Sequence, residues 1–393
     1  MTTALYKEEL AMELDAILRY WMQYTIDRKD GGFFGQVDEA DEVRPGASKG
    51  VVLNSRILWT FSAAFRHTRS LPYRAVAHRA YEYLLTHFLD REYGGVYWSV
   101  DAAGAVDNGR QQIYGLAFSL YGLSEFHRAT GDHNALEEAI SLFRVIEKYS
   151  YDPVRKGYYE AFTRDWAPLE DLRLSPRDAN ERKTMNTHLH VLEAYANLYR
   201  VWPNPLLRDR IGGLLQVFEK YIIEPQTGHL ILFFEEDWTA KSGIVSYGHD
   251  IEAAWLLQEA AETAGDKEWI QKTRQWAIKI AGAAAEGLDS DGGLWYERDG
   301  DHLVREKHWW PQAEAMVGFL NAWQVSGEEK WLQRSLASWT FVQRYIKDHA
   351  HGEWYWGIRE DHSPMPGQDK AGFWKCPYHN GRACMEIMSR LEK

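Results

Sequence analysis

Cysteine is nearly absent from this chain of 393 residues, which has only Cys376 and Cys384. Two cysteines placed this far apart cannot form a zinc knuckle, and they are too few to staple a chain of this length with disulfides. Reduced thiols in a cytoplasmic protein are therefore expected. Long apolar runs are missing too, so no segment is predicted to span a bilayer. The first residues indicate a charged amphipathic helix and not a signal peptide.

Basic residues are also fewer than acidic residues. The chain has 45 lysines and arginines and 57 aspartates and glutamates, which gives a formal charge of −12. An acidic chain without a basic cluster is a poor partner for nucleic acid or for an anionic membrane. A small molecule is the expected partner. We also expect a monomer, since the predicted outer helices carry no leftover apolar stripe.

Linkers rich in proline, glycine or serine are absent, so residues 1–393 are predicted to form a single catalytic domain despite their length. An internal repeat explains the length instead. A glycine followed by aromatic or β-branched residues recurs six times, at intervals of 59 to 71 residues. The last glycine of each copy is Gly32, Gly95, Gly157, Gly228, Gly293 and Gly352.

Two helical segments lie between successive copies, and they differ in their pattern of apolar residues. One set is amphipathic and covers roughly 5–27, 72–90, 133–149, 205–222, 267–286 and 329–347. The other set is apolar on nearly all sides and covers roughly 50–69, 111–130, 184–201, 246–264, 307–326 and 377–391. Helices that are apolar all round belong inside a protein. The pattern therefore predicts an all-α fold, an (α/α)6 barrel of six inner and six outer helices.

Each predicted inner helix carries polar or charged groups near its N-terminus. All inner helices of such a barrel run in the same direction, so these groups should meet at one mouth, where the helix dipoles favour developing negative charge. The groups expected there are Arg56, Tyr114, His190, His249, Glu252, Glu314 and His379, with Trp309, Trp310 and Trp374 close by.

Several of these residues have a structural alternative. Arg56 could be the ion-pair partner of Glu252 or Glu314. His188 and His190 are two apart and must point to different sides of a helix, so only one is expected to face the pocket. We assign His190, which shares a face with Asn186, and expect His188 to be structural. The spacing of the histidines fits neither an HExxH site nor a zinc finger, so no metal is predicted. One tryptophan of the pair Trp309-Trp310 is expected to belong to the core.

The chemistry indicated by this set depends on histidine, because no activated serine or cysteine, phosphate loop or dinucleotide motif is present. His249 and His379, on different helices, could face a substrate from two sides. One would remove a proton from the carbon beside a carbonyl, and the other would return a proton to the opposite face. Open-chain aldoses offer such a proton at C2, and Arg56 could stabilise the enediolate. No metal or redox cofactor is required.

Four motifs closely resemble the cellobiose 2-epimerases of the N-acylglucosamine 2-epimerase superfamily, and Asn54-Ser-Arg-Ile-Leu-Trp59 agrees with them. They are Met185-Asn-Thr-His-Leu-His-Val-Leu-Glu193, Ser246-Tyr-Gly-His-Asp-Ile-Glu252, Trp309-Trp-Pro-Gln-Ala-Glu314 and Trp374-Lys-Cys-Pro-Tyr-His-Asn380. The resemblance implies the same barrel and epimerisation of the reducing-end glucose of β-1,4-linked disaccharides to mannose. It implies His249 and His379 as the acid–base pair.

The resemblance also assigns the binding residues. It implies that the reducing sugar is held or polarised by Arg56, Asn186, His190, Glu252 and Glu314. Trp310 would stack on that sugar, Trp374 would stack on the second ring, and Tyr114 would belong to the pocket. Gln111-Gln112 and Leu116, beside Tyr114, depart from the family pattern, so the preferred sugar is left open.

Three alternative functions follow from the same residues. A mannose 2-epimerase or an aldose–ketose isomerase would use the same site on free monosaccharides. A glycoside hydrolase, a class that (α/α)6 barrels also include, would use Glu252 and Glu314 as paired carboxylates. That reading leaves His249 and His379 without a role. A non-catalytic sugar-binding protein would need the tryptophans but not the histidines.

Overall fold

The computed structural model describes residues 2–392, and that range folds as an (α/α)6 barrel of twelve helices. The inner ring is formed by α2 (Val51–Thr68), α4 (Ile113–Thr130), α6 (Met185–Tyr199), α8 (Tyr247–Ala264), α10 (Trp309–Ser326) and α12 (Tyr378–Arg390). The outer ring is formed by α1 (Thr3–Tyr24), α3 (Leu71–Tyr83), α5 (His133–Tyr149), α7 (Pro205–Val217), α9 (Lys267–Ala284) and α11 (Glu329–Phe341). The predicted fold class and all twelve predicted helices are confirmed.

The inner ring closes on itself. Each inner helix packs against the next one along the chain, and α12 returns to α2. The outer helices pack on the inner ring: α7 contacts both α6 and α8, α9 contacts both α8 and α10, and the first outer helix, α1, packs on the last inner helix, α12. The two ends of the chain therefore meet, and Lys7 lies 2.8 Å from the carboxylate of Glu392.

Burial follows the two hydropathy patterns. In α2 every residue from Val51 to Phe65 is buried, as expected for a helix that is apolar on all sides. In α5 the buried residues recur every three or four positions, which leaves the opposite face to solvent. They are Ala135, Ala139, Leu142, Phe143 and Ile146. None of the helices in residues 2–392 combines the length and the hydropathy needed to cross a membrane.

The repeated glycine–aromatic segments connect each outer helix to the following inner helix, as the repeat predicts. Each one is a tight turn closed by a single antiparallel bridge, for example Ile26 with Phe33 and Leu89 with Val96. Five of the six glycines have a positive φ, which glycine adopts without strain. In the fifth turn the residue with positive φ is Gly292, and not Gly293, the last glycine of that copy.

Short strands cap the end of the barrel where the inner helices begin. Within residues 2–392 they form five small antiparallel sheets of two or three strands. The strands are β1 (Lys49–Gly50), β2 (Ser99–Val100), β3 (Val106–Asn108), β4 (Gln111–Gln112), β5 (Ala161–Phe162), β6 (Lys183–Thr184), β7 (Phe233–Phe234), β8 (Ile244–Ser246), β9 (Glu297–Asp299), β10 (His302–Val304), β11 (Lys307–His308) and β12 (Gly357–Ile358). The strands that directly precede inner helices fix where those helices start.

Buried ion pairs attach the turns to the starts of the inner helices. Lys49, two residues before α2, lies 2.8 Å from Asp27 in the first turn. Lys183, two residues before α6, lies 2.9 Å from Asp152 in the third turn. Each of these aspartates also accepts hydrogen bonds from two backbone N–H groups of its own turn. Every charge in these pairs has a partner, as burial requires.

Glu160 performs a similar role at the N-terminus of α6, but without a cation. Thr184 caps α6 by accepting a hydrogen bond from the backbone N–H of Thr187. The Glu160 carboxyl accepts hydrogen bonds from the backbone N–H and hydroxyl of Thr184, both at 2.9 Å, and from the hydroxyl of Thr187 at 2.6 Å. Burial outweighs these three donors and raises the pKa of Glu160 to about 8.

This raised pKa predicts a pH-dependent loss of stability. The folded protein holds a proton on Glu160 up to about pH 8, whereas the unfolded chain releases it near its ordinary pKa of ~4.3. The free energy of unfolding should therefore fall as pH rises through this window and then level off. We expect Glu160→Gln to have wild-type stability at pH 5 and to exceed the wild type at pH 9 by at most ~5 kcal/mol.

Urea unfolding at pH 5, 7 and 9 measures this difference. Glu137→Gln is the control, because Glu137 is exposed on an outer helix. Unfolding free energies of Glu160→Gln and wild type that stay parallel across this range would contradict the assignment.

Candidate active site

A cavity of about 460 Å³ lies at the end of the barrel where the inner helices begin. Its volume is typical of a site for a small molecule. All six inner helices contribute side chains that the sequence predicted for this mouth. They are Arg56, Tyr114, Asn186, His190, His249, Glu252, Trp309, Trp310 and His379. Trp374, just before α12, also lines the cavity.

Glu314 is the one predicted site residue that does not reach the cavity wall. It lies behind His379, fully buried. Arg56 does not have the ion-pair partner considered for it, because its Nη2 donates a 2.8 Å hydrogen bond to the Tyr114 hydroxyl. Its guanidinium also lies 4.1 Å from the ring centre of Phe118. The positive charge of Arg56 therefore stays available to the cavity.

His188 is structural, as expected. Its Nε2 accepts a hydrogen bond from the backbone N–H of Tyr158 at 2.8 Å, and its Nδ1 lies 2.6 Å from the carbonyl of Thr184. Both ring nitrogens are thus bound to backbone. Burial lowers the pKa of His188 to about 3, which keeps the ring neutral.

Three of the four histidines that line the cavity share one arrangement: Nδ1 is bound by a neighbouring side chain. The Nδ1 contacts are His190 to Glu193 at 2.9 Å, His249 to Ser246 at 2.8 Å and His379 to Glu314 at 2.7 Å. A carboxylate that accepts from Nδ1–H fixes the tautomer in which Nε2 is unprotonated. These contacts leave Nε2 as the ring nitrogen without a side-chain partner.

Burial keeps the two candidate acid–base histidines neutral. Burial, reinforced by the neighbouring His190, lowers the pKa of His249 to about 3. The pKa of His379 is also well below its ordinary value, because burial is reinforced by the positive charges of Arg56 and Arg382. A neutral imidazole with an unprotonated nitrogen is a general base.

Arg382 is the central charge behind the cavity, and sequence reasoning missed it. Its guanidinium is buried and pairs with three carboxylates on three other inner helices. It contacts Glu193 of α6, and it lies 2.7 Å from both Glu252 of α8 and Glu314 of α10. Glu314 also accepts a hydrogen bond from the indole of Trp255 at 3.0 Å.

One arginine cannot neutralise three carboxylates equally. Although burial alone would raise it, the pKa of Glu193 is lowered to about 2, mainly by Arg382. Burial and the nearby charge of Glu314 raise the pKa of Glu252 to about 8. Burial also raises the pKa of Glu314. The cluster can therefore hold a proton near neutral pH, next to the Nδ1 of His379.

The same cluster is the only group in residues 2–392 whose spacing suits a metal ion. Ligand atoms of Glu252, Glu314 and His379 lie within 4.8 Å of one another. However, Arg382 already donates to both carboxylates, so a cation would have to displace a buried guanidinium from the same oxygens. The donor set therefore fits an arginine better than a metal.

Tryptophans form the walls beside the histidines. The ring of Trp310 lies 4.8 Å from that of His249 and 5.7 Å from that of His379. Its edge packs on Gly248, where a Cβ would lie 2.5 Å from the indole, so only glycine allows this approach. Trp309 is 3% exposed and packs on Trp356 at 4.6 Å. Trp309 is thus mainly a core residue, as expected for one of the pair.

The outer part of the cavity comes from loops that the helix pattern could not place there. It includes residues 174–178, Tyr296, His308, Trp356 and Gln368. The loop 172–181 is held by Gln112, whose amide lies 3.2 and 3.1 Å from the carbonyls of Leu172 and Arg173. Gln112 therefore anchors this loop.

Comparisons with known proteins agree with this architecture. Residues 32–383 match the family described as N-acylglucosamine 2-epimerase (GlcNAc 2-epimerase). The chain is 50% identical to a cellobiose 2-epimerase of Bacteroides fragilis, over 97% of this chain and 98% of the relative. A solved cellobiose 2-epimerase from Bacillus thermoamylovorans superposes with a TM-score of 0.94 at 38% identity, covering 98% of this chain and 100% of that one. A D-mannose isomerase structure, 21% identical with a TM-score of 0.85 and covering 98% of both chains, shares the fold.

The buried cluster predicts a large stability effect. Arg382→Met leaves Glu193, Glu252 and Glu314 buried without a cation, so we expect the free energy of unfolding at pH 7 to fall by ~3–5 kcal/mol. Arg274→Met is the control, because Arg274 forms an exposed ion pair with Glu262 and should cost at most ~1 kcal/mol. Urea unfolding compares the two variants, and equal losses would contradict a central role for Arg382.

Proposed function

This chain belongs to the N-acylglucosamine 2-epimerase family, and we propose that it interconverts glucose and mannose at the reducing end of β-1,4-linked disaccharides such as cellobiose. It is an isomerase, a carbohydrate epimerase, like its named relatives. The observation that carries the proposal is the pair His249 and His379. Both lie at the cavity wall beside Trp310, on different helices, and each has Nδ1 bound so that Nε2 is left for a substrate.

The reaction begins when the reducing sugar opens and exposes an aldehyde at C1. One histidine removes the proton from C2, and the electrons of the C–H bond form an enediolate across C1 and C2. Arg56 is the cation that faces this negative charge, and the N-termini of the inner helices add to the positive potential. The other histidine, in the tautomer with its proton on Nε2, then delivers that proton to the opposite face of C2, which inverts that carbon. For His379 this tautomer requires that the carboxyl of Glu314 hold the proton at Nδ1 and pass it to the ring as Nε2 gives up its own.

Glu314 acts in this scheme through His379 and not on the sugar. Its contact with Nδ1 fixes the tautomer of His379, and its raised pKa allows it to share a proton with that ring. Arg382 holds the carboxyl groups of Glu314 and Glu252 close together, each 2.7 Å from its guanidinium. The pKa of both carboxyl groups nevertheless stays above its ordinary value. Glu252 lines the cavity, where its carboxyl, with a pKa of about 8, can donate or accept a hydrogen bond to a sugar hydroxyl.

A disaccharide is favoured by the aromatic residues outside the histidine pair. Trp374 lies near Tyr114, at 6.0 Å, and near Trp98, at 5.9 Å, on the side of the cavity formed by α2 and α4. Trp356 and His308 line the cavity at α10. Trp310 would stack on the reducing sugar, and Trp374 on the second ring.

Free monosaccharides are the second candidate substrates, because the chemistry of the site requires only one sugar ring. A 2-epimerase acting on mannose would use the same steps. An aldose–ketose isomerase would return the proton to C1 of the same enediolate. A D-mannose isomerase of known structure shares the fold of this chain.

A glycoside hydrolase is disfavoured by the position of the carboxylates. Paired catalytic carboxyls must flank a glycosidic bond, ~5–9.5 Å apart. Glu252 and Glu314 both accept from the same nitrogen of Arg382, each at 2.7 Å, and Glu314 lies behind His379. They are therefore on one side of the site and not across it.

Proton NMR in D2O tests the reaction. The purified enzyme with cellobiose, with EDTA present and no cofactor added, should produce the 2-epimer with deuterium at C2. We expect EDTA to have no effect, because Arg382 already occupies the carboxylate cluster. The same experiment with mannose compares disaccharide with monosaccharide. A ketose product would identify an isomerase instead, and free glucose without exchange would identify a hydrolase.

Substitution of the two histidines tests their roles. His249→Ala and His379→Ala should each lower turnover by at least ~10², the lower end of the effect of a general acid or base. His302→Ala is the control, since His302 is exposed on a hairpin outside the cavity. Thermal unfolding should show that each variant remains folded. Near-normal turnover in either cavity variant would refute the two-histidine mechanism.

A further inference from the structure

Ser246 lies at a position where serine normally stabilises a helix, but it does not do so. It is the residue that precedes α8, and a serine there usually accepts a hydrogen bond from a backbone N–H of the first turn. Its side chain makes no such bond. Thr184, at the same position before α6, does cap its helix. The hydroxyl of Ser246 is therefore free for another partner.

That partner is the ring of His249. The Ser246 oxygen lies 2.8 Å from Nδ1, and Ser246 is fully buried. His190 and His379 have carboxylates at Nδ1, whereas His249 has only this hydroxyl. Ser246 is thus the one side chain that can select the tautomer of His249.

A second, smaller cavity adjoins the first at His249. Its volume is about 180 Å³, and His249, Asn186 and Tyr296 border both cavities. Four carboxyl groups that no step above requires line this side cavity: Glu160, Asp178, Glu181 and Glu297. Three donors from Thr184 and Thr187 already occupy Glu160.

Glu297 is the carboxyl that faces Ser246. The two residues are directly opposite each other on β8 and β9, so their side chains lie on the same face of the sheet with Cβ atoms ~5 Å apart. No direct hydrogen bond joins them, but a polar cavity of this size has room for a bridging water. The charged groups around Glu297 are Arg177, Asp178 and Asp299.

We propose that Ser246 is a positioning residue for His249, and that Glu297 orients its hydroxyl. The serine oxygen accepts the Nδ1–H of His249, which leaves the lone pair on Nε2 for the C2 proton. The serine hydroxyl hydrogen is then free to point across the β8–β9 pair, towards Glu297 through water. After proton abstraction both ring nitrogens carry protons, and the same hydrogen bond stabilises the imidazolium. This inference rests on the proposed epimerase function.

Ser246→Ala tests the role of the hydroxyl, with Ser246→Thr as the conservative variant that retains it. Without the acceptor, a fraction of His249 has its proton on Nε2 and cannot act as a base. We expect Ser246→Ala to lower kcat at least ~10-fold, as loss of an orienting partner of a catalytic histidine does. KM should change less than ~3-fold, because the hydroxyl acts on the histidine and not on the bound sugar. A merely structural disturbance of the site would not lower kcat while leaving KM nearly unchanged. Ser246→Thr should recover most of the activity.

Two further measurements separate catalysis from stability. The isotope effect with substrate deuterated at C2 should increase in Ser246→Ala, because proton abstraction becomes slower. Thr184→Ala is the matched capping control: it should lower the unfolding free energy by ~1 kcal/mol, whereas Ser246→Ala should lower it much less. Glu297→Gln should reduce kcat in the same direction as Ser246→Ala but less, and Asp301→Asn, in the exposed turn of the same hairpin, should not.

The outcomes distinguish this inference from the epimerase proposal. Wild-type kcat in Ser246→Ala, or an equal loss of kcat in Ser246→Ala and Ser246→Thr, would overturn the role of the serine. An unchanged isotope effect would do so as well. Wild-type kcat in Glu297→Gln would overturn the part assigned to Glu297. If the wild-type enzyme gives no exchange at C2 in D2O, the proposed function itself fails, and the role of Ser246 as a positioning residue in that reaction fails with it.

Discussion

The charge of Arg382 is the constraint on which the centre of the barrel depends. Three inner helices place a carboxylate on the axis of the ring, and burial of three such groups without a cation would cost several kcal/mol each. Arg382 supplies the cation from a fourth inner helix, α12. The same contacts bring Glu314 to Nδ1 of His379 and Glu193 to Nδ1 of His190. Stability of the ring and orientation of the imidazoles therefore come from one network.

The repeated architecture explains why the polar groups converge. Every inner helix follows a tight turn and starts at the same end of the barrel, so its first turn faces the cavity and the remainder packs against neighbouring helices. Six first turns give six independent positions for functional groups on rigid elements. The loops add what the repeat cannot supply: Tyr296, Trp356 and the segment held by Gln112. The helices thus carry the residues assigned to proton transfer, and the loops shape the outer part of the cavity.

The sequence predicted the fold and most of the cavity for a physical reason. Apolar periodicity distinguishes a helix buried on all sides from one buried on a single side, and the glycine turns mark the repeat. The position of polar residues in the first turn then determines which of them meet. The contact of Glu314 with the cavity was harder to predict. Its position in the first turns of α10 indicates the correct end of the helix, but not whether the side chain reaches the cavity wall.

Arg382 and Ser246 could not be assigned in this way. Arg382 lies one turn after His379 on α12, and its one sequence signal is a charged residue in a buried helix. Only the three-dimensional packing shows that Glu193, Glu252 and Glu314 converge on it. Ser246 precedes a helix, where serine ordinarily serves as a cap, so its contact with His249 depends on side-chain rotation that no pattern records. Loop residues such as Gln368 are brought to the mouth by tertiary contacts alone.

Because α1 packs on α12, the barrel can close only after α12 has been synthesised. A ribosome delivers Glu193, Glu252 and Glu314 long before it delivers Arg382, and domains generally fold as units during synthesis. Until α12 docks between α10 and α2 under α1, the nascent ring holds uncompensated acids and lacks both Arg382 and His379. Helix α12 therefore adds the balancing cation and one histidine of the proposed acid–base pair in one step, and we expect a chain truncated before α12 to be neither stable nor active.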